Sequence, residues 1–243
     1  MEKQGARVER GQANLVVPTG ESELMYVHPA VGPSTYQEVG RQIISQNQSV
    51  PTGDLTAPLI YMAYCDETVK NEPKFSGVRD LIKNRYLWVF NRNIWTTEGV
   101  YVVQDEDAEW RNASFNIEEL EDLLSDGDTE FGVKFSQDRK IRFAPKNTYS
   151  LGEQSPESLA RDGFVIANYD VKGAEKLREV SSRMRSGPKT YGLKIEEGQN
   201  PEQRVASLDS YWNFGDSRLC VDGNYWDDYG FGFAFGVVPH KRE

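Results

Sequence analysis

Short apolar runs and helical spacings alternate along the first half of the 243-residue chain. Leu15-Val16-Val17 and Met25-Tyr26-Val27 flank Pro18-Thr19-Gly20, which predicts two strands around a turn. Tyr36–Ser45 reads as a short helix, and 46–58, with Pro51 and Pro58 among small polar residues, reads as loop. Leu59–Tyr64 has the look of a buried helix, with Asp54 or Thr56 as its cap. Phe75, Val78, Leu81 and Ile82 recur at helical spacing, which predicts a second helix over 75–85.

The period then shortens to two. Tyr86–Phe90 and Gly99–Val103 are aromatic and β-branched, so they read as strands, with Asn91–Glu98 as the hairpin loop between them. Ile117, Leu120, Leu123 and Leu124 mark a short acidic helix that ends at Gly127. Phe131–Phe135 and Lys140–Phe143 alternate apolar and polar around Gln137-Asp138, a second hairpin. Ser155 opens a helix with Pro156 and Glu157 in its first turn. Phe164–Ala167 reads as a strand, Ala174–Met184 as a charged and mostly exposed helix, and Gly192–Ile195 as another strand. The breakers at 186–188 and 198–201 are too short for domain linkers, and no solenoid period or regular strand–helix alternation is present. The expectation is one α+β domain over residues 1–243, with short, mostly antiparallel strands and long irregular loops.

Charge narrows the function classes. Lys and Arg number 28 against 38 Asp and Glu, a net charge of −10. That argues against a nucleic-acid binder, which needs a basic face, and against anionic membranes. No run approaches a transmembrane helix, and Met1–Gly11 lacks the apolar core of a signal peptide, so a soluble chain is expected. Cys65 and Cys220 are too few for a disulfide framework or a CxxC metal site, and read as two unpaired thiols. His28 and His240 make neither a zinc cluster nor a convincing nucleophile–base pair. No metal, cofactor or catalytic residue is therefore expected.

Composition changes abruptly near the C-terminus. Between Val205 and His240 there is no Lys, Glu, Gln or Met, whereas Glu2, Lys3, Gln4, Glu9 and Gln12 occur in the first dozen residues. Apart from Leu208 and Leu219–Val221, what fills 208–231 is Tyr, Trp, Phe, Asp, Asn, Ser and Gly, with Arg218 as the single Lys or Arg. This is a paratope palette: Tyr supplies rigid amphipathic area, while Ser, Gly and Asn supply adaptable hydrogen bonds. The alternative is a glycine-rich aromatic loop packed on its own core. Trp212 and Trp226 fit that role, whereas the Asp227-Asp228 charges resist burial. Ser210-Tyr211-Trp212-Asn213 and Asn224-Tyr225-Trp226-Asp227 are near-copies, and Gly232–Val238 reads as one terminal strand with Phe233 and Phe235 on a common face.

The Trp212-Asn213 element, the Asn, Asp, Tyr, Ser and Gly run, and the closing Gly232-Phe233-x-x-x-Val237 resemble the variable proteins of diversity-generating retroelements, and more closely their archaeal branch. The bacterial ending Gly-Phe-Arg-Val is replaced here by Gly232-Phe233-Ala234-Phe235-Gly236-Val237. The resemblance spans about the last forty residues. The two helices and aromatic hairpin of Thr56–Asp105 are compatible with the C-type-lectin-like fold it implies. In that family, adenine-directed copying rewrites asparagine codons, a change that cannot produce Lys, Glu, Gln, Met or Trp. The first four are the types missing here, and Trp212 and Trp226 would be constant scaffold beside Phe233 and Phe235.

The resemblance implies a variable ligand-binding region at 205–238. Its candidate positions are Asp209, Tyr211, Asn213, Phe214, Gly215, Asp216, Arg218, Leu219, Tyr225, Asp227, Asp228, Tyr229 and Phe231. Leu219–Val221 also reads as a short buried strand. The implied partner is a variable macromolecular ligand, a protein on another cell or surface, bound by a monomer that is displayed on a cell or virion. Rival readings fare worse. A calcium-dependent lectin needs six to eight ordered oxygens; Asp222-Gly223-Asn224 with Asp227-Asp228 do not match the EF-hand spacing, and the Glu-Pro-Asn motif of sugar-binding C-type lectins is absent. A glycosidase needs a carboxylate pair that nothing here singles out, and an oxidase on a related fold needs a cysteine context that Cys65 and Cys220 lack.

Overall fold

In the computed structural model the chain opens with strands β1 (Arg7–Glu9), β2 (Asn14–Thr19), β3 (Ser22–Val27) and β4 (Val31–Ser34), then helices α1 (Tyr36–Ser45), α2 (Gly53–Cys65) and α3 (Pro73–Asn84). The hairpin β5 (Tyr86–Trp95) and β6 (Gly99–Gln104) follows, then α4 (Ile117–Ser125), β7 (Asp128–Glu130), β8 (Val133–Phe135), β9 (Ile141–Pro145), β10 (Gly152–Glu153), α5 (Pro156–Leu159) and α6 (Gly163–Ser181). The order ends with β11 (Lys189–Tyr191), β12 (Glu202–Asp209), β13 (Trp212–Asn213), β14 (Asp216–Ser217), β15 (Cys220–Tyr225), β16 (Gly232–Ala234) and β17 (Val237–Pro239). The structure describes residues 7–9, 14–19, 22–109, 115–210, 212–213 and 216–239.

The class is α+β. One large sheet runs β10-β11-β15-β12-β5-β6-β9-β8-β7, with β16 joining β5 to β4, and a smaller sheet runs β1-β2-β3-β17. Pairing is antiparallel except at β11–β15 and β16–β5. The main core lies on the sheet face covered by α2, α3 and α6, and includes Ile60, Phe75, Val78, Val89, Trp95, Phe164 and Leu177. Tyr36, Val39 and Ile43 of α1 pack with Trp88, Phe90, Val205 and Ala234 in a second core. Leu120 and Leu124 of α4 pack with Ile94, Tyr101 and Val103 in a third. Among the described residues no helix is long and apolar enough to cross a membrane. Cys65 and Cys220 are both buried and form no disulfide.

Several local expectations are corrected. Phe164–Ala167 is helix, the start of α6. The Asp162 side chain accepts from the amides of Phe164 at 3.0 Å and Val165 at 3.2 Å, which launches a helix despite the β-branched run. All four residues are fully buried, so the run shows no amphipathic period. α6 then changes course at Asp170, whose φ of 61° lies in the left-handed region. The strand read at Gly192–Ile195 lies at Lys189–Tyr191 instead, and a Cβ on Gly192 would sit 2.6 Å from a Trp95 ring carbon. The loop read at 91–98 shrinks to 96–98, because Asn91 and Asn93 are sheet residues. Asn91 Nδ2 donates to the Asn168 carbonyl at 2.7 Å, and Asn168 Nδ2 donates to Asn93 Oδ1 at 2.9 Å. Buried amides that pair with each other mimic loop composition. The N-cap position of α2 belongs to Thr52, while Asp54 in its first turn binds the buried Arg142. The supposed terminal strand 232–238 divides between the two sheets, as β16 and β17.

Candidate functional site

The C-terminal segment is built on the centre of the large sheet. β12 and β15 are antiparallel neighbours, and at the end of β12 Asp209 sits between Cys220 of β15 and Tyr86 of β5. A register shift beside Val205 places Tyr225 opposite Val205, at the far end of the pair. The chain over 226–231 must therefore travel back along the sheet, since Gly232 pairs with Tyr86. The Tyr36 amide donates to the Asp227 carbonyl at 3.0 Å, and the Tyr86 hydroxyl donates to the Tyr229 carbonyl at 3.2 Å, so both ends of this return path are tethered. Gly232 is required at its end, because a Cβ there would lie 2.6 Å from a Tyr86 ring carbon and closer still to Trp88.

Aromatic rings link the interior to this surface. Tyr36 packs on Phe90 with ring centroids 4.5 Å apart and edge-on to Trp88 at 5.6 Å. Trp88 meets Tyr86 at 4.8 Å and Tyr225 at 5.8 Å, and Tyr225 continues to Tyr229 at 5.7 Å. Tyr86 and Tyr225 lie 4.7 Å apart and line a depression of about 560 Å³ with Ile82, Lys83, Asn84, Arg85 and Asp209. Behind it, burial and the nearby Asp209 carboxylate push the Asp222 carboxyl up to about 7, although the Asn224 amide donates to it at 2.7 Å. Burial likewise pushes the Tyr86 phenol up to about 12.

The candidate positions do not share one environment. Tyr229 and Phe231 are 50 % and 62 % exposed, and Asp228 is also exposed. Asp209 and Tyr225 are half-buried at the depression. Arg218 is half-buried and hydrogen-bonds Glu153 of β10. Asn213 and Asp216 pair across the small β13–β14 ladder, as Trp212 does with Ser217. Tyr211, Phe214 and Gly215 lie outside the described residues. Leu219 is corrected: at 0 % exposed it belongs to the main core and offers no contact surface. Asp227 is corrected as well, since it is 3 % exposed beneath the return path. Trp226, assigned to scaffold, is 48 % exposed, with the Arg204 guanidinium stacked 3.6 Å from its ring centroid. Phe235 is buried and Phe233 half-buried, both against the main core.

Sequence reading missed the opposite wall, Ile82 to Tyr86, and the ring partner Arg204. Neither carries a motif. The polar Lys83-Asn84-Arg85 step from helix to strand was the only local signal, and its position beside Asp209 depends on strand order. Among the described residues no group of three or more His, Cys, Asp and Glu is placed to hold a metal ion. The chain matches no protein-family model, and no curated protein or solved structure gives a significant match.

Proposed function

We propose that the surface around Trp226–Phe231 and the Tyr86–Tyr225 depression binds a protein ligand, and that the chain is a variable protein of the retroelement type on a C-type-lectin-like scaffold. One observation carries the reading. Among the described residues, the large and markedly exposed aromatic side chains are Phe131, Trp226, Tyr229 and Phe231, and the last three fall within the segment that lacks Lys, Glu, Gln and Met. Clustered aromatic exposure costs solvation and is typical of contact surfaces. The helices α2 and α3 followed by the Trp88 and Trp95 hairpin support the lectin-like scaffold. No chemistry follows binding. Tyr225, Tyr229 and Phe231 supply contact area, and Asp209 and Asp228 tune charge around it.

The test is the sequence of this gene from several isolates. The expected replacements fall after Val205 at exposed or half-buried positions, with Leu219, Asp227, Trp212 and Trp226 unchanged and no Lys, Glu, Gln or Met introduced. Differences that are silent in this segment, or replacements spread evenly along the chain, overturn the reading.

A further inference from the structure

The depression has two walls of different origin. Asp209 and Tyr225 belong to the segment proposed to vary, whereas Ile82 to Tyr86 belong to the junction of α3 and β5, outside it. If that reading of the segment holds, the second wall stays the same whatever the first one carries. We propose that this fixed wall is a subsite for a carboxylate of an acidic peptide segment in the ligand, held by Arg85 with help from Lys83.

The charges on the wall are the argument. Arg85 is exposed at the C-cap of α3, and Nη1 donates to the Asn84 carbonyl at 3.2 Å. Among the described residues no carboxylate pairs with it. Lys83 approaches Asp80 only at 3.9 Å, and Asp80 is itself largely exposed. Several other arginines do have a carboxylate partner: Arg139 has Glu130 and Asp170, Arg142 has Asp54, Arg178 has Glu175, Arg204 has Glu202, and Arg218 has Glu153. In a chain of net charge −10, the Arg85 guanidinium lines the depression without a carboxylate of its own among the described residues.

Cations at a helix C-terminus also complement its carbonyl groups, and that accounts for Lys83 in the last turn. It also accounts for the Arg85 Nη1 bond to the Asn84 carbonyl, and the remaining N–H donors of Arg85 can still meet a carboxylate. The Tyr86 hydroxyl is already committed to the Tyr229 carbonyl, so the wall presents cations beside an aromatic ring. Asp209, cross-strand partner of Tyr86, opposes an anion from the other wall. In this form of the protein it weakens what the fixed wall attracts.

The experiment is an NMR titration of the full chain with a capped tetraglutamate peptide and, separately, with a capped tetralysine peptide. Tetraglutamate should shift the amides of residues 82–86, and tetralysine should not. Arg85→Gln should weaken tetraglutamate binding about fivefold and Asp209→Asn should strengthen it by a similar factor. Arg85→Lys, which keeps the charge and loses the fork, should fall between the parent and Arg85→Gln. Unshifted amides at 82–86, an Arg85→Gln variant that binds like the parent, or tighter binding of tetralysine at these residues overturns the proposal. The titration reads the fixed wall alone, so its failure leaves the variable segment standing, and invariance among isolates leaves the titration standing.

Discussion

At the scale of single residues, Asp222 shows how the sheet sets chemistry. It lies in an inner strand, opposite Ser207 on one side and Tyr191 on the other. Burial raises its carboxyl to about 7, Asp209 adds to the rise, and the Asn224 amide opposes it. In the unfolded chain the same group titrates near about 4. The folded protein therefore holds the proton between those values. Its contribution to stability is fully present below about 4 and is lost as pH climbs through about 7, above which the charged form dominates. Asp222→Asn removes the charge and keeps an oxygen for the Asn224 amide. The variant should be more stable than the parent by about 1–2 kcal/mol at pH 8 and equal to it near pH 4. Thermal melts at the two pH values decide, and a gap that does not depend on pH refutes the assignment.

Tyr225 and Tyr229 make the same point about environment. Both are Tyr in one aromatic run, yet the Tyr225 ring packs against Tyr86, Trp88 and Tyr229, while Tyr229 is half exposed and its ring, among the described residues, meets that of Tyr225 only. Tyr225→Ala should cost about 2–3 kcal/mol and Tyr229→Ala less than about 1 kcal/mol in urea denaturation. Equal costs would show that the ring ladder does not extend to Tyr225. Residue type in the sequence marks this region as aromatic and acidic. It could not separate Tyr225 from Tyr229, nor show that Leu219 and Asp227 turn inwards while Trp226 turns out, because each of those outcomes depends on strand register.

At the scale of elements, legibility followed amphipathicity. α1, α3 and α4 each bury one side, and their periods were readable. α6 opens with Phe164, Val165, Ile166 and Ala167 buried on every side, so its start resembled a strand. What decides its state is the cap. Asp162 binds the Phe164 and Val165 amides with one carboxylate oxygen, and the Ser150 amide at 2.9 Å and Gln154 Nε2 at 2.8 Å with the other. Asp162→Ala should therefore cost about 2 kcal/mol, at the upper end for a lost cap, since the 150–154 loop comes loose as well. Asp162→Asn keeps an acceptor for the two helix amides and should recover part of the loss. Urea midpoints for the pair check this, and an alanine variant with the parent midpoint would show that packing alone holds the start of α6.

At the scale of the whole molecule, the question is whether a surface can change without disturbing what holds it. The large sheet separates the two tasks. The main core fills the face under α2, α3 and α6, and the return path 226–231 runs back between Tyr225 and Gly232, tethered to Tyr36 and Tyr86. The strand order that creates this path brings 82–86 beside 209, a juxtaposition no local pattern could disclose. Along the path the buried Asp227 and Gly232 bracket an exposed stretch that includes Asp228, Tyr229 and Phe231. Replacing Asp228, Tyr229 and Phe231 together by Ser should then cost less than about 2 kcal/mol, most of it from the lost Tyr225–Tyr229 contact. Gly232→Ala adds a single methyl group against Trp88 and Tyr86 and should cost more than the triple change, because a packed sheet junction cannot yield to it. The reverse ranking in thermal denaturation would mean that the exposed aromatics hold the fold, and would remove the physical basis for a surface free to vary.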